Sequence, residues 1–137
     1  MPTLQKFNDF TKQLASGTHN FAAHSFYWAL TNTAPVATNT VLADITQIAA
    51  GNGYTTGGAE AATFTVSETG GTTTLDCADT VFTASGGSIA TFRYAVLYNF
   101  TAASKNLVGW IDHGSAVTVT DTNTYTVSTP SGVLTVA

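Results

Sequence analysis

From His24 onward the apolar residues of this chain recur with a period of two, and glycine, asparagine and proline interrupt the pattern about every ten residues. A period of two puts alternate side chains on opposite faces of an extended strand, and a helix has no use for it. In HSFYWALT, Phe26, Trp28 and Leu30 share one face while Ser25, Tyr27, Ala29 and Thr31 take the other. Similar runs follow in AATFTVS, TTTLDCAD, TFRYAVLYN, NLVGWIDHG, AVTVTD, TYTVS and GVLTVA. Strict alternation in TFRYAVLYN sets Phe92, Tyr94, Val96 and Tyr98 against Arg93, Ala95, Leu97 and Asn99. Turn signals separate the runs at Gly70 and Gly71, at Gly86 and Gly87, and at residues 121–123 and 130–132. Roughly eight or nine short strands rich in Thr, Val, Tyr and Phe, with no helices between them, predict an all-β fold. An antiparallel jelly-roll-like or Greek-key β-sandwich fits that strand count.

The first segment has a different period. Leu4, Phe7, Phe10 and Leu14 recur at helical spacing, Thr3 is a candidate N-cap, and Ser16 and Gly17 supply a stop. This predicts a short N-terminal helix over residues 4–15. The chain then divides into an N-terminal helical segment, residues 1–17, and a β-sandwich domain, residues 18–137. At 137 residues it is long enough for one core of its own. The helix stripe has two readings, packing into that core or contact with a partner.

Between the first strand and the next lies LTNTAPVATNTVLADITQIAAGNGYTTGG, with Asp44 as its one charge. Ala34 precedes Pro35 and is thereby held out of the helical region. Gly51, Gly53, Gly57 and Gly58 permit tight turns around Tyr54. TVLADITQIAA either rejoins the sandwich or lies against it.

Only 9% of the residues are charged, against roughly 25% in ordinary soluble domains. Together with 44% hydrophobic residues this is not the composition of disorder. A Thr, Ser and Asn surface would keep such a chain soluble. Burial against neighbouring chains would equally explain it, because interface centres are depleted of charge. The basic residues Lys6, Lys12, Arg93 and Lys105 are scattered through a chain of net charge −4, which argues against nucleic-acid binding. No apolar run approaches the roughly 20 residues of a membrane span, and MPTLQKFNDF lacks the pattern of a signal peptide. Synthesis in a cytoplasm is the default expectation. Cys77 stands alone and cannot form an internal bridge, which makes a buried small hydrophobe its expected state, and its neighbours Asp76 and Asp79 do not suit a reactive thiol.

Catalytic signals are weak. Asp112, His113 and Ser115 are close in sequence, but neighbours on a strand alternate faces, and no Gly-x-Ser-x-Gly elbow accompanies them. His19 and His24 are spaced for neither a helix face nor a strand face, so one or both are expected at the surface rather than on a metal. The carboxylates show no calcium-loop spacing, and the Gly-rich stretches lack the Lys and following helix of a phosphate cradle. Tyr27, Trp28, Tyr94, Tyr98 and Trp110 read as core aromatics before they read as a sugar platform. The residues therefore point to a non-enzymatic protein with no cofactor and no metal.

The Asn-Thr-Ala-Pro segment at Asn32, the Gly-Tyr-x-x-Gly-Gly turn at Gly53 and the strand ending Ala-Val-Leu-Tyr-Asn at Asn99 carry a resemblance. Nearly end to end, the chain resembles a family of small virion structural proteins of tailed bacteriophages. The resemblance implies a head decoration or cement protein on the capsid exterior, bound to the major capsid protein and to sister copies, with a dimer favoured over a trimer. Leu4, Phe7, Phe10 and Leu14 of the helix, and Asn32, Thr33, Ala34, Pro35 and Val36 of the loop, are the expected partner contacts. A tail or fibre-associated protein that recognises a host is the alternative, although fibre proteins are usually long and repetitive.

Overall fold

The computed structural model describes residues 4–129 and 132–136. Thr3 and the Pro130 and Ser131 part of the last turn lie outside them. The described strands are β1 (Gln5–Lys6), β2 (Phe26–Thr31), β3 (Ala59–Ala61), β4 (Thr65–Thr69), β5 (Thr72–Asp76), β6 (Thr80–Thr83), β7 (Phe92–Asn99), β8 (Leu107–Val117), β9 (Thr124–Val127) and β10 (Leu134–Val136). One helix, α1 (Phe10–Ala15), and a 3-10 turn at Leu42–Asp44 complete the elements. The fold is all-β with antiparallel pairing throughout: a five-stranded sheet ordered β1-β8-β7-β2-β3, a three-stranded sheet β10-β5-β4 and a two-stranded sheet β6-β9.

Phe26, Trp28 and Leu30 of β2 enter the main core, as their alternation requires, and meet Leu75 of β5, Phe82 of β6 and Val127 of β9. Both small sheets therefore share one core with a single face of the large sheet. The opposite face is also covered. Ala29, Val96, Tyr98 and Leu107 form a second buried cluster there, closed by Phe7 from the N-terminal segment and Ile45 from the long connection after β2. Burying each such large side chain contributes about 1.5–3 kcal/mol, so the second cluster stabilises the connection as an ordered layer.

Two sequence expectations change here. The helix is six residues long and begins at Phe10, while Gln5 and Lys6 pair with Trp110 and Gly109 of β8. Gly109 makes this approach possible, because a Cβ on it would lie 2.5 Å from the Leu4 Cδ2 and 2.6 Å from the Gln5 carbonyl oxygen. The stripe that mimicked a helix is in fact split, with Phe7 on one side of the β8 edge and Phe10 on the other. The second change is in β7. The β7–β8 register slips between Phe92 and Tyr94, where residues 113–116 of β8 bulge out. Phe92 then joins Ala95 and Leu97 in the main core, while Val96 and Tyr98 take the other face.

Candidate partner-binding surface

The long connection is fastened to the large sheet at several points. At the end of β2 the fully buried Thr31 hydroxyl accepts from the Thr33 amide at 3.0 Å and donates to the Thr46 carbonyl at 2.5 Å, so one side chain holds both ends of the intervening loop. Within the loop the Val36 amide donates to Asn39 Oδ1 and the Asn39 amide to the Val36 carbonyl, each at 2.8 Å. The Asn8 amide donates to the Ala37 carbonyl at 2.9 Å, and the Leu107 amide to the Thr40 carbonyl at 2.9 Å. The Asp44 carboxylate accepts from the Thr40 and Val41 amides, which holds its pKa below the usual carboxylate range.

Further along, the connection finishes the edge of the sheet. The Tyr54 hydroxyl accepts from the Leu30 amide at 3.1 Å and donates to Gln47 Oε1 at 2.6 Å. The Gly57 amide donates to the same Gln47 oxygen at 2.8 Å, and the Gly57 carbonyl accepts from the Tyr98 hydroxyl at 2.6 Å. Burial, then the neighbouring Tyr54 and Tyr27 rings, push the Tyr98 phenol up to about 12.

What projects from this fastened layer is the loop tip. Asn32, Thr33, Ala34 and Val36 are exposed, Pro35 is half-buried, and Val36 leaves 57% of its surface in solvent. The helical half of the expected surface is placed differently. Phe7 and Phe10 are fully buried, Phe7 against Trp110 at 4.6 Å between ring centroids and Phe10 stacked on His19 at 5.4 Å. They are core residues and are not available to a partner. Leu4 and Leu14 are half-buried against the main core.

A second feature was not legible in the sequence. A cleft of about 450 Å³ opens between residues 14–22 and one face of the small sheet, lined by Leu14, His19, Phe21, Val66, Leu75 and Val136 among others. His19, one of the two histidines of which one or both are expected at the surface, is 4% exposed. Burial lowers its pKa to about 4, with the charge of His24 acting in the same direction and Asp9 against it. Its Nδ1 lies 3.2 Å from Asn99 Nδ2, and its Nε2 is buried without a partner. Half-buried His24 places its Nδ1 3.1 Å from the same Asn99 nitrogen.

Arg93 holds both Asp112 oxygens, at 2.7 and 3.0 Å, and keeps that carboxyl below its ordinary pKa. His113 and Ser115 stand exposed on the β8 bulge. Among the described residues no three His, Cys, Asp or Glu side chains come together, and no helix is long and apolar enough to cross a membrane. Trp28 and Tyr98 are fully buried, while Tyr27, Tyr94 and Trp110 are half-buried. No protein family, curated protein or solved structure matches this chain.

Proposed function

We propose that this protein is a non-enzymatic decoration or cement protein of a tailed-bacteriophage head, bound on the capsid exterior to the major capsid protein. The observation that carries this reading is the uncharged loop tip at residues 32–36, with Val36 exposed, set on a layer fastened by Thr31, Asn39 and Asp44. A rigid loop loses little conformational entropy on docking, and an apolar tip without charge can be buried without stranding an ion. Its Asn-Thr-Ala-Pro sequence is also one of the segments that resemble virion proteins. The large sheet and the two small ones, facing one another across the main core, suit a jelly-roll or Greek-key sandwich, a scaffold that holds such a loop still. Each contact is modest, and sister copies paired as dimers across neighbouring capsomers would gain affinity from effective concentration.

Removing residues 1–15 would strip Phe7 and Phe10 from the two cores and unfold the chain. The informative variant is therefore Val36→Asp, which sits on the surface. It is expected to keep the wild-type melting temperature and to lose most of its occupancy on purified shells. Normal decoration by the folded variant would sink the loop assignment. Counting copies in the virion tests the location, since a number that scales with the capsomers fits the shell and a handful fits the tail.

A further inference from the structure

The Asn99 side chain is fully buried at the end of β7, and its orientation is set by its oxygen, which accepts from the Ala102 amide at 3.0 Å. Nδ2 is thus the donating end. It faces the Thr18 carbonyl at 3.1 Å, His19 Nδ1 at 3.2 Å and His24 Nδ1 at 3.1 Å. Nδ2 has two N–H groups for these three partners, so one N–H is shared, and an amide N–H is matched only by a lone pair; the arrangement is satisfied when both Nδ1 atoms are unprotonated and both rings are neutral Nε2–H tautomers. Protonation of either ring would set an N–H against an N–H.

The placement of this contact gives it leverage. Residues 18–24 bond to α1 through Thr18 and Gln13 and to one another through Asn20. Among the described residues, every hydrogen bond from 18–24 to the sheet runs through Asn99. The segment carries Phe21, stacked on Phe26 at 4.2 Å, and forms one wall of the cleft against Val66 and Leu75.

We propose that Asn99, His19 and His24 form an acid-sensitive latch. At neutral pH it closes residues 18–24 over the aromatic core; proton uptake by the histidines releases the segment, widens the cleft and uncovers Phe21. The surroundings favour this direction. The rings packed on His19 belong to Phe10 of α1, Phe26 of β2 and Phe21, and none carries charge. Of the two titratable groups that act on His19, a charged His24 opposes its protonation. Asp9 favours it, with its carboxylate already accepting from Gln13 Nε2 at 2.8 Å. Burial prevails over Asp9 and keeps His19 neutral down to about 4.

The test is amide exchange on the full chain, read as protection factors corrected for the intrinsic pH dependence. Between about pH 7 and about pH 5 residues 18–24 should lose protection by roughly tenfold or more, while β2 and β7 keep theirs. Asn99→Asp replaces the donor with a carboxylate that accepts from imidazolium, so its trend should reverse, with greater protection in acid. Ring nitrogen NMR of the unmodified protein needs no variant, and should find Nδ1 unprotonated in both histidines at neutral pH. Flat protection at 18–24, a loss shared equally by the whole core, the wild-type trend in folded Asn99→Asp, or an Nδ1–H on either ring would each overturn the latch.

Discussion

The Tyr54 hydroxyl takes the place of a strand carbonyl at the edge of β2, accepting the Leu30 amide at 3.1 Å where β3 no longer reaches. Tyr54→Phe keeps the ring in the core and leaves that buried amide without its acceptor. A buried orphan donor costs about 1–3 kcal/mol, so chemical denaturation should show a loss of that size. Gln47 loses one donor but retains the Gly57 amide, which limits the damage. An unchanged midpoint would mean that the edge is held by other contacts.

Gly58 is held tightly by the same edge. Its φ is +83°, and an added Cβ would lie 1.7 Å from the Trp28 carbonyl oxygen. Gly58→Ala must displace backbone, and a loss well above the ~1 kcal/mol of left-handed strain is expected. Gly70 has φ +58° with open space around it, so Gly70→Ala should show the strain alone. Equal melting shifts for the two variants would contradict the crowding at Trp28.

Acid stability carries a signature of His19. The unfolded ring takes its proton near 6.5 and the native ring only near 4, so between these values the unfolded chain binds more protons. Stability therefore rises with pH across that window and is lost as pH falls through it, by about 3 kcal/mol from this group. Carboxylates such as Asp112, whose native pKa is depressed, add their own acid loss, so the clean measurement is a difference. His19→Phe should show a shallower stability profile than the wild type across the window, and parallel profiles would refute the assignment.

Cys77 should be inert. Burial pushes its thiol up to about 11, and the carboxylates of Asp76 and Asp79 add to the shift against a hydrogen bond with Thr129. Only the thiolate reacts, so labelling of this half-buried thiol by a disulfide reagent at neutral pH should be slow and accelerate greatly on adding denaturant. Rapid stoichiometric labelling of the native protein would be inconsistent with this burial.

Alternation in β2 was legible because its residues are bounded by polar turns and face packed layers, and Phe26, Trp28 and Leu30 all reach the main core. The same rule misassigned Phe92, which lies beyond a break in the β7–β8 register whose extra residues, 113–116, are far away in sequence. The predicted helix over residues 4–15 failed at its first half for a similar reason. Leu4 and Phe7 have helical spacing, but a groove beside Gly109 offers a strand partner that no local pattern announces. AATFTVS holds only the last residue of β3 and the first three of β4, and β6, only four residues long, has no counterpart among the predicted runs. In the candidate surface the exposure of Asn32, Thr33, Ala34 and Val36 followed from their composition and the adjacent proline. The burial of His19 did not, since it depends on Asn99, which lies 80 positions away.

The two hydrogen bonds of the Thr31 hydroxyl also have a bearing on how this chain can vary. Because Thr33 and Thr46 are gathered at one buried atom, extra residues inserted at positions 34 and 35, ahead of the Val36–Asn39 turn, should leave the core side chains where they are. Loop-closure entropy charges only ~0.6 kcal/mol for each doubling of length. The segment behaves as a cassette in a fixed mount, free to change in length and chemistry as a partner surface changes, while the sheet beneath it stays the same.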